Sequence, residues 1–517
     1  MTAYYVKAPS GTAGAGTYRG RHVVSTTWAT GDRVVPTNAY GTAAAKGYVY
    51  ECTTAGAGGG AQPTWVYTTP DTSTTTDGAA VWTCRNATTW ANSSTVPEHL
   101  ITNKMAAGDI LYQENVLITE TTTQTLSFPG TLASPMQWIS TSDTTNMPPT
   151  SVATGAGLDL SATSAISIIT NTGTGYLYGV TLKTGGSTGA GQIYLLNSVA
   201  TALILDSCAL TIPNTNSGTF MRIGVPSSAN RVYLKTINCT FTTGNNAGQR
   251  LNVYSNWDSS GDTFAITTTV PTKLFANSAD GFGGSITMMG ADLSAINTTM
   301  VDLSSSTLDA VFTQCKVASG VAFASATSPG SGDVWVNDCA SGDTHYEFGH
   351  YNYYGSTTIS TAIYVTADGA SYDGTNRHSW KITGTANSSF LSPYVSPPIP
   401  VYNAGVAAKT PYLEVLRDGS TTAYNDDQVW SEWFVKITAS STRVTLDRSD
   451  KRGVVATASA QTASALTTSD WTGDTTAWFG KLSPTASITP AEIGDVSVTV
   501  SVAGAITLYV DPQIRGL

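Results

Sequence analysis

At 517 residues the chain is too long for a single hydrophobic core, and about three domains are expected. Only 12% of its residues are charged, yet 12 Trp, 24 Tyr and 12 Phe spread along its length exclude a disordered chain. A net charge of -10 excludes a non-specific nucleic-acid binder, and no apolar run approaches the ~18 residues that a membrane span needs. The first residues, Met1 to Lys7, lack the apolar core of a signal peptide, which implies synthesis in a cytoplasm with reduced thiols. Thr, Val and Tyr favour strands, Gly, Asn, Asp and Ser supply turns, and no stretch keeps a helical period. An all-β protein is predicted.

Residues 1–95 stand apart, with Trp28, Trp65, Trp82 and Trp90 and the pair Cys52 and Cys84. The run Trp28-Ala-Thr-Gly-Asp32-Arg-Val is followed by Gly47-Tyr-Val-Tyr-Glu-Cys52, then Pro63-Thr-Trp65, Asp77-Gly78 and Val81-Trp82. The order is strand, Gly-rich turn, strand, with an aromatic closing each piece. It resembles the small aromatic-rich β modules of chitin-binding domains that recur in phage tail and head proteins. That resemblance implies glycan binding through Trp28, Trp65 and Trp82, while the same rings would equally serve as a small core. Cys52 and Cys84 read either as buried thiols or as partners across neighbouring strands.

Residues 96–385 begin at Val96-Pro97-Glu98-His99 and carry a recurring phrase. It reads Leu203-Ile-Leu-Asp-Ser-Cys208, Val232-Tyr-Leu-Lys-Thr-Ile-Asn-Cys239, Val311-Phe-Thr-Gln-Cys315 and Val334-Trp-Val-Asn-Asp-Cys339. Each copy is an alternating strand, a polar corner and a small buried thiol. Loose self-similarity of this kind marks a solenoid, in which each coil buries its face against the next. The turn Ala107-Gly108-Asp109, with Pro129-Gly130-Thr131 after it, resembles the first turn of a right-handed parallel β-helix of the pectate-lyase-like kind. At roughly 20–30 residues per coil, about 10–12 coils are expected, stacking into a rod about 50 Å long. Residues 386–517 open with a Pro-rich joint, Ser392 to Pro400, and after it alternate as strands such as Trp430–Ile437 and Val496–Val502. A C-terminal β-sandwich is predicted there.

Glycoside hydrolysis needs two carboxyl groups about 5–9.5 Å apart. No glutamate occurs between Thr121 and Tyr346, and most aspartates there sit beside turn residues. Asp258 and Asp262, beside Trp257, are the best local carboxylate pair, read first as a solvated turn. Arg222, Arg231, Lys235 and Arg250 are the solenoid's densest group of cations, expected at surface or subunit contacts. In the run His345 to Tyr354, an extended chain puts His345 and Glu347 on one face with His350 beyond, a conceivable metal or acid-base site but more simply an aromatic strand capping the solenoid. No Cys-x-x-Cys pair occurs, and no metal, cofactor or catalytic residue is predicted.

The combined pattern resembles bacteriophage virion structural proteins. The resemblance implies a particle-surface role as capsid decoration, cement or head fibre, without enzymatic activity. Its alternative is a tail fibre or tailspike that binds or cleaves host surface polysaccharide. The implied partners are other virion subunits, further copies of the chain (a trimer being common among such solenoids) and a host glycan, with no nucleic acid and no membrane. The implied location is the virion, assembled in the host cytoplasm.

Overall fold

This computed structural model describes residues 1–342 with side chains, apart from 121–125, 162–172, 184–201, 214–220, 225–232, 278–282, 305–306 and 326–331. Beyond 342 it describes strands alone. The chain divides into two compact units, Met1–Thr272 with Gly284–Ile286, and Lys273–Gly283 with Thr287–Leu517. The fold is a parallel β-solenoid of the right-handed type, nearly devoid of helix.

In the first unit three parallel ladders wind together. One runs through Ala3–Val6, Ile110–Glu114, Met136–Thr141, Gly175–Tyr178, Thr201–Asp206, Val232–Ile237 and Asn256–Ser260. A second runs through Leu117–Thr119, Ala156–Asp159, Val180–Lys183, Ala209–Thr211, Thr240–Thr243 and Thr263–Ile266. The third joins Ile169–Asn171, Gln192–Asn197, Phe220–Ile223 and Arg250–Val253. Alternation along each strand sends Leu177, Leu203, Leu205, Leu234 and Trp257 inward as a stacked core.

Between the first and second ladders the chain turns a sharp corner, and the recurring phrase lies on it. Ser207 and Asn238 hold φ of 54° and 51°, the left-handed region where short polar side chains are tolerated. Gly179 and Gly261 take the same corner on flanking coils, at φ of 65° and 67°. Each corner N–H donates to the next coil, Ser207 to the Ile237 carbonyl and Asn238 to that of Ser260, both at 2.8 Å. The residue after the corner then points inward, and Cys208 and Cys239 are buried there. Their Sγ atoms reach the carbonyls of Leu177 and Leu205 on the preceding coil, each at 3.4 Å. The neighbouring Cys208 thiol, together with burial, pushes the Cys239 thiol up, so it behaves as a small apolar group.

The second unit repeats the device. Gln314 and Asp338, at φ of 52° and 48°, precede the buried Cys315 and Cys339. Leu308–Thr313 pairs in parallel with Asp333–Ser341, and Lys273–Ala276, Thr299–Asp302 and Ala322–Ser325 form the third side. From Asp333 on the pairing changes: Thr344–Asn352, Ala362–Val365 and Ser379–Ala386 add as antiparallel strands. The parallel coils are therefore fewer than the expected ten to twelve, because pairing reverses soon after Cys339. Further along, Gly504–Gly516 joins Ser379–Ala386 to Val429–Ile437, and Glu492–Val500 centres a second antiparallel sheet. The sandwich expected over 386–517 falls largely on residues outside the described ones.

The chain's start differs from the sequence expectation. Ala3–Val6 is the terminal rung of the solenoid, paired in parallel with Ile110–Gln113. The aromatic module is threaded in between these two rungs. Its sheet orders Arg19–Arg21, Arg33–Val35, Val49–Thr54, Ala80–Arg85 and Thr74–Asp77. Its closing segment covers the outer edge of the terminal rung: the Tyr5 N–H donates to the Ala87 carbonyl (2.8 Å), and the Tyr5 carbonyl accepts from the Ser94 N–H (2.9 Å). An open strand edge invites pairing with another chain, and here it is occupied. Two short helices were not predicted, α1 (Ala43–Lys46) and α2 (Pro97–Asn103). In α2, Pro97 opens the helix and Glu98 lies in its first turn, where a missing N–H and a negative charge are both tolerated.

Candidate functional site

The three tryptophans expected to bind glycan form the module's core. Trp28, Trp65 and Trp82 are 1%, 2% and 0% exposed. Trp82 meets Trp28 edge to face at 5.0 Å and Trp65 at 5.9 Å, and His22 stacks on Trp28. No ring face is left for a sugar in this packing. Buried carboxylates organise the surrounding turns. Asp32 accepts from the N–H groups of Gly14, Tyr18 and Ala29 at 2.8–3.1 Å. Asp77 accepts from Gly59 N–H (2.7 Å) and pairs with His22 Nε2 (2.8 Å). Cys52 and Cys84 are free, buried thiols, pushed by burial to about 11 and about 12.

The solenoid brings polar and aromatic groups together on the outward face of its first ladder. In-register pairing aligns Tyr176, Ile204, Lys235 and Asp258 in one row across four successive strands. Two residues along, Tyr178 and Asp206 lie side by side on neighbouring strands. Tyr176 Oη donates to Asp206 Oδ2 at 3.1 Å, one coil away. Tyr233 Oη donates to Asp258 Oδ2 at 2.5 Å, again one coil away. Burial and then the Asp206 charge push the Tyr176 phenol to about 12. The hydrogen bond to Asp258 raises that of Tyr233, which is 40% exposed. Both phenols stay protonated at neutral pH and fix the carboxylates as acceptors. The result is a ribbon of rings, carboxylates and one ammonium, a chemistry suited to sugar rings and hydroxyls.

The sequence pair Asp258 and Asp262 is split between two environments. Asp258 faces outward, while Asp262 is buried, accepting from Ser259 Oγ (2.6 Å), Cys239 N–H (2.7 Å) and Thr236 Oγ1. Burial raises the Asp262 carboxyl, against the lowering effect of these donors. The two cannot act on one substrate. Asp206 and Asp258 do share the outward face, two coils apart, with Cα atoms roughly 12 Å apart by coil and residue spacing. The cations are likewise dispersed: Lys235 lies on the first ladder, and Arg222 and Arg250 lie on the third, with Arg222 over the Tyr254 ring. Arg231 lies outside the described residues, as do the side chains of His345, Glu347 and His350. Among the described residues no three His, Cys, Asp or Glu side chains converge as metal ligands, and no helix is long and apolar enough to cross a membrane.

No protein-family model matches the chain, and no curated protein does. Among solved structures the chain is similar to the enzymatically active domain of tailspike protein 4 of bacteriophage CBA120. The identity is 11%, over 100% of this chain and 77% of that one, with a TM-score of 0.22.

Proposed function

We propose that the chain is a bacteriophage virion-surface protein, a tail fibre or tailspike, whose solenoid face binds a host surface polysaccharide. The observation that carries this reading is the outward ribbon of Tyr176, Tyr178, Asp206, Tyr233, Lys235 and Asp258. Such a ribbon has no packing task in the coil. Rings provide stacking surface, carboxylates accept from sugar hydroxyls, and the stiff coil holds them in fixed register. Under this reading the aromatic module is an insert between the rungs Ala3–Val6 and Ile110–Glu114, the parallel coils run on to Asp333–Ser341, residues 386–517 form a C-terminal domain, and copies of the chain assemble on the particle.

The test is retention of the purified full chain on polysaccharide extracted from the host surface, with chain length followed in the same incubation. Tyr233→Ala and Asp258→Asn are each expected to weaken binding about tenfold, equal to about 1.4 kcal/mol. Shortening of the polysaccharide would add catalysis to the role. No retention, with hundreds of copies on each particle, would overturn this reading in favour of capsid decoration.

A further inference from the structure

A second polar cluster lies away from the ribbon, where the module, α2 and the first coils meet. Arg21, on the module strand Arg19–Arg21, places Nη2 at 2.7 Å from Glu120 and 3.4 Å from Glu98. Glu98 belongs to α2, and Glu120 follows the coil strand Leu117–Thr119. Their side chains are 5% and 1% exposed, so both carboxyl groups are shielded from water. One guanidinium thus serves two buried carboxyl groups drawn from different elements.

The next cation, Lys46, makes no ion pair with either glutamate and lowers Glu98 only through its more distant charge. His99, next to Glu98, has Nε2 at 2.9 Å from Asn38 Oδ1, and its Nδ1 has no partner. Burial, with the nearby charges of Arg21 and Lys46, holds His99 down at about 3, so it is neutral. Lys46, the last residue of α1, donates from its ammonium to the Asn38 carbonyl at 2.7 Å. Glu98 Oε2 is buried without a partner. Two ionised glutamates here would have to share one paired guanidinium in a low-dielectric site, which is costly.

We propose that Arg21, Glu98 and Glu120 form a proton-dependent latch between the inserted module and the first coils, shut while the two glutamates together hold one proton. When that proton leaves, the surplus carboxylate draws in water and α2 loosens from the module strand. Burial and then the Glu120 charge push Glu98 to about 8 from the usual 4.5, and burial raises Glu120 as well. The sign follows from linkage. The stabilising effect of the held proton is complete below about 4.5, declines as pH rises, and is gone above about 8.

The experiment is thermal unfolding of the full chain between pH 4.5 and 9, for the natural sequence and for Glu98→Gln, a shape mimic of the protonated acid. The melting temperature of Glu98→Gln relative to the natural chain is expected to climb by several degrees across that range and then level off. A difference that stays constant with pH overturns the latch. Infrared spectroscopy gives a reading that needs no variant. The natural chain at pH 6 is expected to show a protonated-carboxyl band that disappears as pH passes about 8. Absence of that band at pH 6 also overturns it. Amide exchange in residues 19–21 and 97–103 is expected to quicken above pH 8 beyond its intrinsic rise, and unchanged protection there counts against the opening step.

Discussion

In the inserted module each stabilising contact occurs once: Trp82 against Trp28, Asp32 closing one loop, Asp77 tied to His22. In the coils the contacts are serial. Ser207 and Asn238 occupy equivalent corners of neighbouring turns, and Cys208 and Cys239 lie beneath them. The difference teaches where damage spreads. A module built from unique contacts fails as a unit when one central ring is lost. A stack of similar coils loses one nearest-neighbour interface at a time.

The strongest way to break this contrast is Trp82→Ala. It opens a cavity under Trp28 and Trp65 and is expected to cost about 3–5 kcal/mol, with the module's tryptophan fluorescence changing in one cooperative denaturant transition. A loss below 1 kcal/mol would mean that the module core is not a unit. Next comes Asp262→Ala, which strands the Cys239 N–H and the hydroxyls of Thr236 and Ser259. A cost of about 1–3 kcal/mol is expected, with amide exchange accelerated in residues 232–266 and unchanged in the module.

A smaller effect sharpens the corner argument. Gln314 sits in the left-handed region with its side chain exposed. Gln314→Gly is expected to be neutral within about 0.5 kcal/mol, relief of the strained φ offsetting the entropy of the unfolded glycine. Gln314→Val is expected to cost about 1–2 kcal/mol. Equal stabilities for the two variants would show that corner conformation is unimportant.

The mildest perturbation is acid. Asp143 lies half-buried at the centre of a loop, where the N–H groups of Thr150, Asn146 and Thr145 hold its carboxyl well below the usual range. The loop contributes its order above the ordinary aspartate value and loses it only as pH falls through the depressed one. Trp90 reports on this, since its Nε1 donates to the Asn146 carbonyl at 2.9 Å. Trp90 emission is expected to stay constant down to about pH 3 in the natural chain and to shift at neutral pH in Asp143→Asn.

The serial half of the molecule was the legible half. Strand, polar corner and cysteine recur, and a repeated pattern reveals its period without knowledge of the partner. Unique contacts leave no such trace. Arg21, Glu98 and Glu120 meet through folding over long separations, and only Pro97-Glu98 hinted at a helix start. The aspartate pair misled for a local reason. Residues four apart share a face of an unbroken strand, but Gly261 turns the corner at φ 67° and carries Asp262 inside. Tyr233 and Asp258 were both visible as residues, and their contact depended on coil register, which no single strand encodes. For the module tryptophans, aromatic spacing fitted core and glycan surface equally well, and burial decided between them.

The position of Ala3–Val6 sets an order of events in synthesis. This strand leaves the ribosome before the module, yet its parallel partner, Ile110–Gln113, emerges only after the whole module. Until then its side chains, including Tyr4 and Tyr5, have no coil to join. The cost of closing so long a connection grows slowly, about 0.6 kcal/mol per doubling, and a module that folds early draws the two ends together. Growth of the coil stack would then begin only from a finished module. Pulse-labelled amide protection during refolding is expected to appear in residues 19–85 before residues 3–6.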